Sequence, residues 1–149
     1  MDTPQTAKPQ TLPELLAHYE TSHRHAVNEA IHLVAIPVIM FSLVGLMYSL
    51  HAALAWVFLG ASLLYYLRLR LPTGRMLCMV GLTVLMLALA MLLGEQRLRV
   101  CSALFLAGWI AQFIGHRIEG RKPSFFEDIR YLWIGPLFVL DRLARRLAT

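Results

Sequence analysis

Charged residues are missing from three long blocks of this sequence. No Asp, Glu, Lys or Arg occurs between Glu29 and Arg68, between Arg75 and Glu95, or between Arg99 and Arg117. A backbone wrapped in apolar side chains must satisfy its own N–H and C=O groups, and a helix does this within one segment. A bilayer core of roughly 30 Å takes about 20 helical residues, with a range of about 17–25. The stretch 76–94 fits one crossing and 100–116 another. The 38 uncharged residues from Ala30 to Leu67 are too many for one, and they divide at 49–52 into a helical hairpin with His51 near its tip. The expected fold is all-α, an integral membrane four-helix bundle with spans at 31–49, 52–67, 76–94 and 100–116.

Composition agrees with that reading. Hydrophobic residues make up 58% and charged residues 15% of the chain, against roughly 45–50% and about 25% in soluble domains. No polar stripe recurs at helical spacing through the blocks, as a soluble bundle would require.

The flanks are more polar. Residues 1–10 read as a disordered tail, and 11–149 as a single membrane domain. Thr11-Leu-Pro-Glu14 has the spacing of a capping box with proline in the first turn. Leu12, Leu15, Leu16 and Tyr19 form a stripe, so an amphipathic helix is expected on the cytoplasmic membrane surface. The loop after the second span contains Leu71-Pro-Thr-Gly74, read as a tight turn. After the fourth span Pro123 stops the helix, and Ser124-Phe-Phe-Glu127 offers a second capping box. The uncharged run 131–140, interrupted by Gly135 and Pro136, is too short to cross. It makes 124–147 an interfacial or re-entrant helical segment, with Arg142, Arg145 and Arg146 facing an anionic leaflet.

Twelve of the fourteen Lys and Arg residues fall on one face of this arrangement, with only Arg97 and Arg99 on the other. The positive-inside rule then makes both termini cytoplasmic, in the cytoplasmic membrane of a bacterium or the endoplasmic reticulum of a eukaryote. The net charge of +5 reads as membrane topology, and no basic patch on a soluble fold speaks for nucleic acid. The first thirty residues are too polar for a signal peptide. Cys78 and Cys101 start spans from opposite faces, out of disulfide reach, and read as buried thiols. Tyr19, Tyr48, Tyr65 and Trp133 read as interfacial anchors.

Ionisable groups at membrane depth are costly and mark function. Two clusters qualify: His23, His25, Asn28 and His32 at the entry of the first span, and Gln112, His116 and Glu119 at the exit of the fourth. Entry and exit helices of a four-span bundle end on the same membrane face, so the two clusters can be neighbours in space. At about 100° per residue, Gln112, His116 and Glu119 share a helical face, as do Asn28 and His32. An imidazole and a carboxylate directed to one side can reach one ion. His23 and His32, nine positions apart, point in opposite directions on a continuous helix, so joint ligation requires a break between them. His18, His25 and His51 read as surface or interfacial side chains.

The stretch YETSHRHAVNEAIHLVAIP has the spacing Tyr-x3-His-x4-Asn-x3-His-x4-Pro. GWIAQFIGHRIEGRKPSFFEDIRYLWIGPLFVL has a Gln-x2-Gly-His, acidic, basic, Pro, Gly-Pro order. Together they resemble the small membrane family of Fe(II)-dependent 2-hydroxy fatty acid dioxygenases, from about Leu12 to Arg142. The resemblance implies α-oxidation: a 2-hydroxy fatty acid is shortened by one carbon with consumption of O2 and release of CO2. It carries the metal ligands onto His23, His32 and His116, with Glu119 as the acidic member and Asn28 and Gln112 as accompanying polar residues. Eukaryotic members have one more residue between the histidine and the glutamate.

Imidazole and carboxylate ligands with open positions suit non-haem Fe2+. The expected substrate contacts are Asn28, Gln112 and the cations Arg121 and Lys122, with the acyl chain among the spans and the substrate taken laterally from the lipid bilayer. Two non-enzymatic alternatives stand beside this reading: a haem protein with His32 and His116 as axial ligands, and a lipid-binding four-helix membrane protein whose histidines only hydrogen-bond.

Overall fold

A computed structural model describes residues 11–126 and 129–147; the expected tail at 1–10 and Glu127 of the second capping box lie outside them. The described residues form six α-helices and no strand. These are α1 (Leu12–Glu20), α2 (Ala26–Leu50), α3 (Ala52–Arg68), α4 (Thr73–Leu92), α5 (Arg97–Glu119) and α6 (Tyr131–Leu147), with 3-10 turns at Gly94–Gln96 and Ser124–Phe126.

Three segments are long and apolar enough to cross a membrane: Ala26–Leu50, Thr73–Leu92 and Gly94–Glu119. The fourth expected span, α3, has 17 residues. At about 1.5 Å per residue it is roughly 25 Å long, under the hydrocarbon thickness, so length and composition qualify three helices instead of four. The helices also outrun their apolar blocks. Glu29, Arg117 and Glu119 lie in terminal turns of α2 and α5, where a charged side chain can still reach an aqueous boundary.

The hairpin break falls at His51, which is extended (φ −166°, ψ 133°) between α2 and α3 and whose Nδ1 accepts the Ala53 N–H at 3.2 Å. It caps a helix. The turn between α3 and α4 lies one step earlier than Leu71-Pro-Thr-Gly74: Arg70 takes the left-handed conformation (φ 52°), Pro72 is the cap, and Thr73 and Gly74 are already helical. Proline's fixed φ suits the entry to a helix better than the middle of a reversal. At the α4–α5 corner, Arg97 donates to the carbonyls of Ala90 (2.6 Å) and Met91 (3.2 Å) and lies over the Tyr48 ring, 4.7 Å from its centroid. It thus satisfies carbonyls that a helix end leaves bare.

α2 and α5 form the tightest pair. Glycines let them approach: a Cβ on Gly108 would lie 2.6 Å from Ile39 Cγ1, and one on Gly115 would overlap the Asn28 amide oxygen. Small residues do the same at other membrane helix seams. By contrast, α3 and α4 make few contacts with each other, and an apolar cleft of about 310 Å3 opens between them. Large apolar side chains such as Trp56, Val57, Leu64, Leu77, Val84 and Leu92 point outward from this side. Cys78 is exposed there too, against expectation, while Cys101 is buried behind Gly45; both are free thiols.

The other end of the molecule is closed by α1 and α6. The capping box forms, with the Thr11 N–H donating to the Glu14 carboxylate at 3.2 Å. The stripe it introduces is covered by protein, not by a membrane surface: Leu12, Leu15 and Tyr19 are buried with Tyr131, Ile134, Leu137 and Phe138 of α6. α6 runs unbroken through Gly135 and Pro136. Its arginines also find acidic partners, Arg142 and Arg145 at Glu20 and Arg142 and Arg146 at Glu29, at 3.1–3.8 Å.

Candidate metal centre

The break between His23 and His32 is present. α1 ends at Glu20, and the Thr21 hydroxyl donates back to the His18 carbonyl at 2.7 Å. The chain turns through Ser22–Arg24, and α2 starts after His25, whose Nδ1 accepts the Val27 N–H at 3.2 Å. His25 is thus a helix cap on the exposed side. The turn sends His23 inward instead.

His23, His32 and His116 are 1%, 0% and 3% exposed. Their ring centroids lie 4.4 Å (23–32), 5.0 Å (23–116) and 4.7 Å (32–116) apart, with interplanar angles of 77°, 73° and 85°. Three near-perpendicular imidazoles surround one point. One nitrogen from each lies within 4.8 Å of the others, and this is the only such group of three or more potential ligands among the described residues. The Nε2 atoms of His32 and His116 face each other at 3.1 Å. Two nitrogens bound at roughly 2.0–2.1 Å to one ion would stand about 3–3.5 Å apart.

The tautomers follow from the outer contacts. His23 Nδ1–H donates to the Tyr19 carbonyl at 2.7 Å, and His32 Nδ1–H to the Asn28 carbonyl at 2.9 Å. A carbonyl only accepts, so both rings carry their proton on Nδ1 and turn an Nε2 lone pair inward. Metal-bound histidines are oriented in this way. The Nε2 of His23 is buried without a hydrogen-bond partner. Burial, and then the neighbouring His32, pushes His23 down to about 3, which keeps the ring neutral at ordinary pH. An uncompensated lone pair among neutral imidazoles fits a divalent cation.

Glu119 lies outside this group. One of its carboxylate oxygens accepts the Arg24 N–H (3.1 Å), and the other accepts the His25 N–H (2.8 Å) and the Asn28 side-chain N–H (3.1 Å). The amide of Asn28 also donates to the Ser22 carbonyl at 3.1 Å. Glu119 and Asn28 therefore clasp the turn that carries His23 to the end of α5. Gly120 (φ 74°) stops α5 just beyond, with the Gly120 N–H on Arg117 and the Arg121 N–H on His116, a Schellman ending. Arg121 and Lys122 follow, both exposed. Gln112 shares with His116 the wall of a narrow cavity of about 30 Å3.

Two contributors escaped the sequence reading. Tyr19, read as an anchor, is buried and stacks on His23 at 4.1 Å and 14°; its place four residues before His23 was the available signal. Phe138 of α6 lies 5.5 Å from His23, and no local pattern marks it.

These features define a class: an all-α protein with apolar helices of membrane-crossing length and a buried histidine triad able to hold a metal ion. The family model "Mpo1-like: 2-hydroxy-palmitic acid dioxygenase Mpo1-like" matches residues 59–147, more than half of the chain. The chain is also 31% identical over 139 residues to the 2-hydroxy-palmitic acid dioxygenase MPO1 of Saccharomyces cerevisiae, an alignment covering 84% of this chain and 75% of the yeast protein. The chain belongs to the Mpo1-like family. No solved structure matches it.

Proposed function

We propose that this protein is a membrane-embedded, Fe2+-dependent dioxygenase that shortens 2-hydroxy fatty acids by one carbon. The overall change is R–CH(OH)–COOH + O2 → R–COOH + CO2 + H2O. The bond between the carboxyl carbon and the hydroxyl-bearing carbon breaks, the hydroxyl-bearing carbon is oxidised to a new carboxyl, and O2 is reduced. The observation that carries this reading is the convergence of three buried imidazoles on one point. The activity named for the yeast relative supplies the substrate class.

His23, His32 and His116 hold the metal through inward nitrogens. When bound, the ion supplies Lewis acidity and one-electron chemistry toward O2. The chain does the rest. The Tyr19 and Asn28 carbonyls fix ring tautomers, and Glu119 holds the His23 turn in place. Gln112 orients the polar head of the substrate in the cavity beside His116. Arg121 and Lys122 draw the carboxylate to the site, while the acyl chain stays among the apolar helices.

We read α2, α4 and α5 as spans, with α3, at the lower limit of about 17 residues, completing a four-helix arrangement. By the positive-inside rule, the excess of Lys and Arg in the sequence on the side that carries His23, His32 and His116 supports a cytoplasmic placement of both termini. The substrate then enters sideways from the bilayer.

The facing nitrogens of His32 and His116 argue against the haem alternative, since two in-line metal bonds of roughly 2 Å need about 4 Å between them, against 3.1 Å here. The test is metal analysis of anaerobically purified protein, followed by O2 uptake and mass spectrometry after addition of a 2-hydroxy fatty acid. The expected result is iron without a Soret band, and an acid one carbon shorter. Metal-free protein, or an unaltered substrate with iron present, overturns the proposal.

A further inference from the structure

Ser124 opens the 3-10 turn Ser124–Phe126, a position where a serine commonly caps the turn. Its side chain is 2% exposed, and its hydroxyl has no hydrogen-bond partner among the described residues. A buried, unsatisfied hydroxyl is costly and rare. The same residue lines the cavity of about 30 Å3 whose wall holds His116, Gln112 and Tyr19. That volume admits one small polar group. Trp109, Ile36 and Ile39 close the remaining wall with apolar surface.

The approach to Ser124 is graded. The chain leaves α5 at Gly120, exposes Arg121 and Lys122, and is buried again by Pro123 and Ser124. Two exposed cations thus stand two and three residues before a buried hydroxyl that lines the same cavity as His116. A carboxylate has acceptors only. It matches both features, since the nearby cations attract the charge and the hydroxyl donates a charge-assisted bond.

We propose that Ser124 is a carboxylate-binding residue, donating its hydroxyl hydrogen to the carboxylate of a 2-hydroxy acid lodged beside His116. This rests on the function proposed above and adds a contact that neither the histidines nor Arg121 and Lys122 supply.

Zinc-loaded protein in detergent, which binds without turnover, separates the outcomes by equilibrium dialysis. Two probes share one tail: 2-hydroxyhexadecanoate, and hexadecane-1,2-diol, which keeps the hydroxyl and lacks the carboxylate. Ser124→Ala is expected to weaken acid binding about tenfold, equivalent to about 1.4 kcal/mol. Its diol affinity and bound zinc are expected to equal those of the unsubstituted protein. Unchanged acid affinity in Ser124→Ala assigns the hydroxyl to a trapped water and overturns this inference, leaving the proposed function standing. An equal loss for acid and diol reports lost packing and likewise overturns it. If the unsubstituted protein prefers neither the acid nor the diol to hexadecan-1-ol, both readings fall.

Discussion

The α2–α5 seam and the α3–α4 side are built from similar apolar residues and packed in opposite ways. Along the seam, Gly108 and Gly115 bring two backbones together, and Asn28, His32 and His116 meet across it with almost no exposed surface. On the other side, a cleft of about 310 Å3 separates α3 from α4, and large apolar side chains face outward. In lipid, apolar burial gives little reason for helices to associate. Close packing is therefore found where polar side chains meet across the α2–α5 seam, and is relaxed on the apolar α3–α4 side.

The strongest way to break this contrast is to remove a ligand. His32→Ala or His116→Ala is expected to abolish stoichiometric metal and lower product formation below detection, as read by elemental analysis and mass spectrometry. A substitution of Leu85, on the outer face, should leave both intact.

Gly115→Ala comes next. Its new methyl would overlap the Asn28 amide oxygen, so α2 and α5 must part; overpacking of this sort costs about 1–3 kcal/mol. A lowered melting temperature together with weaker metal binding is expected. Gly81→Ala, on α4 with nothing near the added carbon, should change neither. Equal effects at the two glycines would erase the distinction between the seam and the outer side.

Glu119→Gln tests the clasp. The shape is kept, but the charge that accepts three N–H groups is lost. Metal affinity is expected to fall roughly 10- to 100-fold, as for other groups that orient ligands, while saturating metal restores full occupancy. Failure to restore it would make Glu119 a ligand after all.

The smallest effect is on pH. His23, pushed down to about 3 by burial and then by His32, binds its proton more weakly folded than unfolded, where its value is near 6.5. Stability from this residue is complete above about pH 6.5 and is lost as pH falls toward 3. The metal-free protein should melt at lower temperature at about pH 5 than at about pH 7, with His23 itself contributing a slope of up to about 1.4 kcal/mol per unit. His23→Leu should flatten that part of the curve.

Much of this was legible from spacing alone. His23 and His32, nine positions apart, can share an ion only if the helix breaks between them, and the loop at Thr21–His25 supplies the break. The charge-free blocks located α2 through α5 to within a few residues. Other features depend on tertiary partners that no local pattern encodes. The α1 stripe looks the same whether lipid or α6 covers it. The Glu119 carboxylate lies on the helical face of His116, yet backbone N–H groups more than ninety residues away in sequence take it up. His25 and His51 look like His23 in the sequence, and only the local turn decides which becomes a cap and which turns inward.

The nitrogens of His32 and His116 meet across 84 residues of sequence. During synthesis, the first two imidazoles leave the ribosome long before the third. They cannot enclose an ion together until α5 has formed and settled beside α2. A metal ion held by all three is therefore acquired late, by a chain whose helices are already paired.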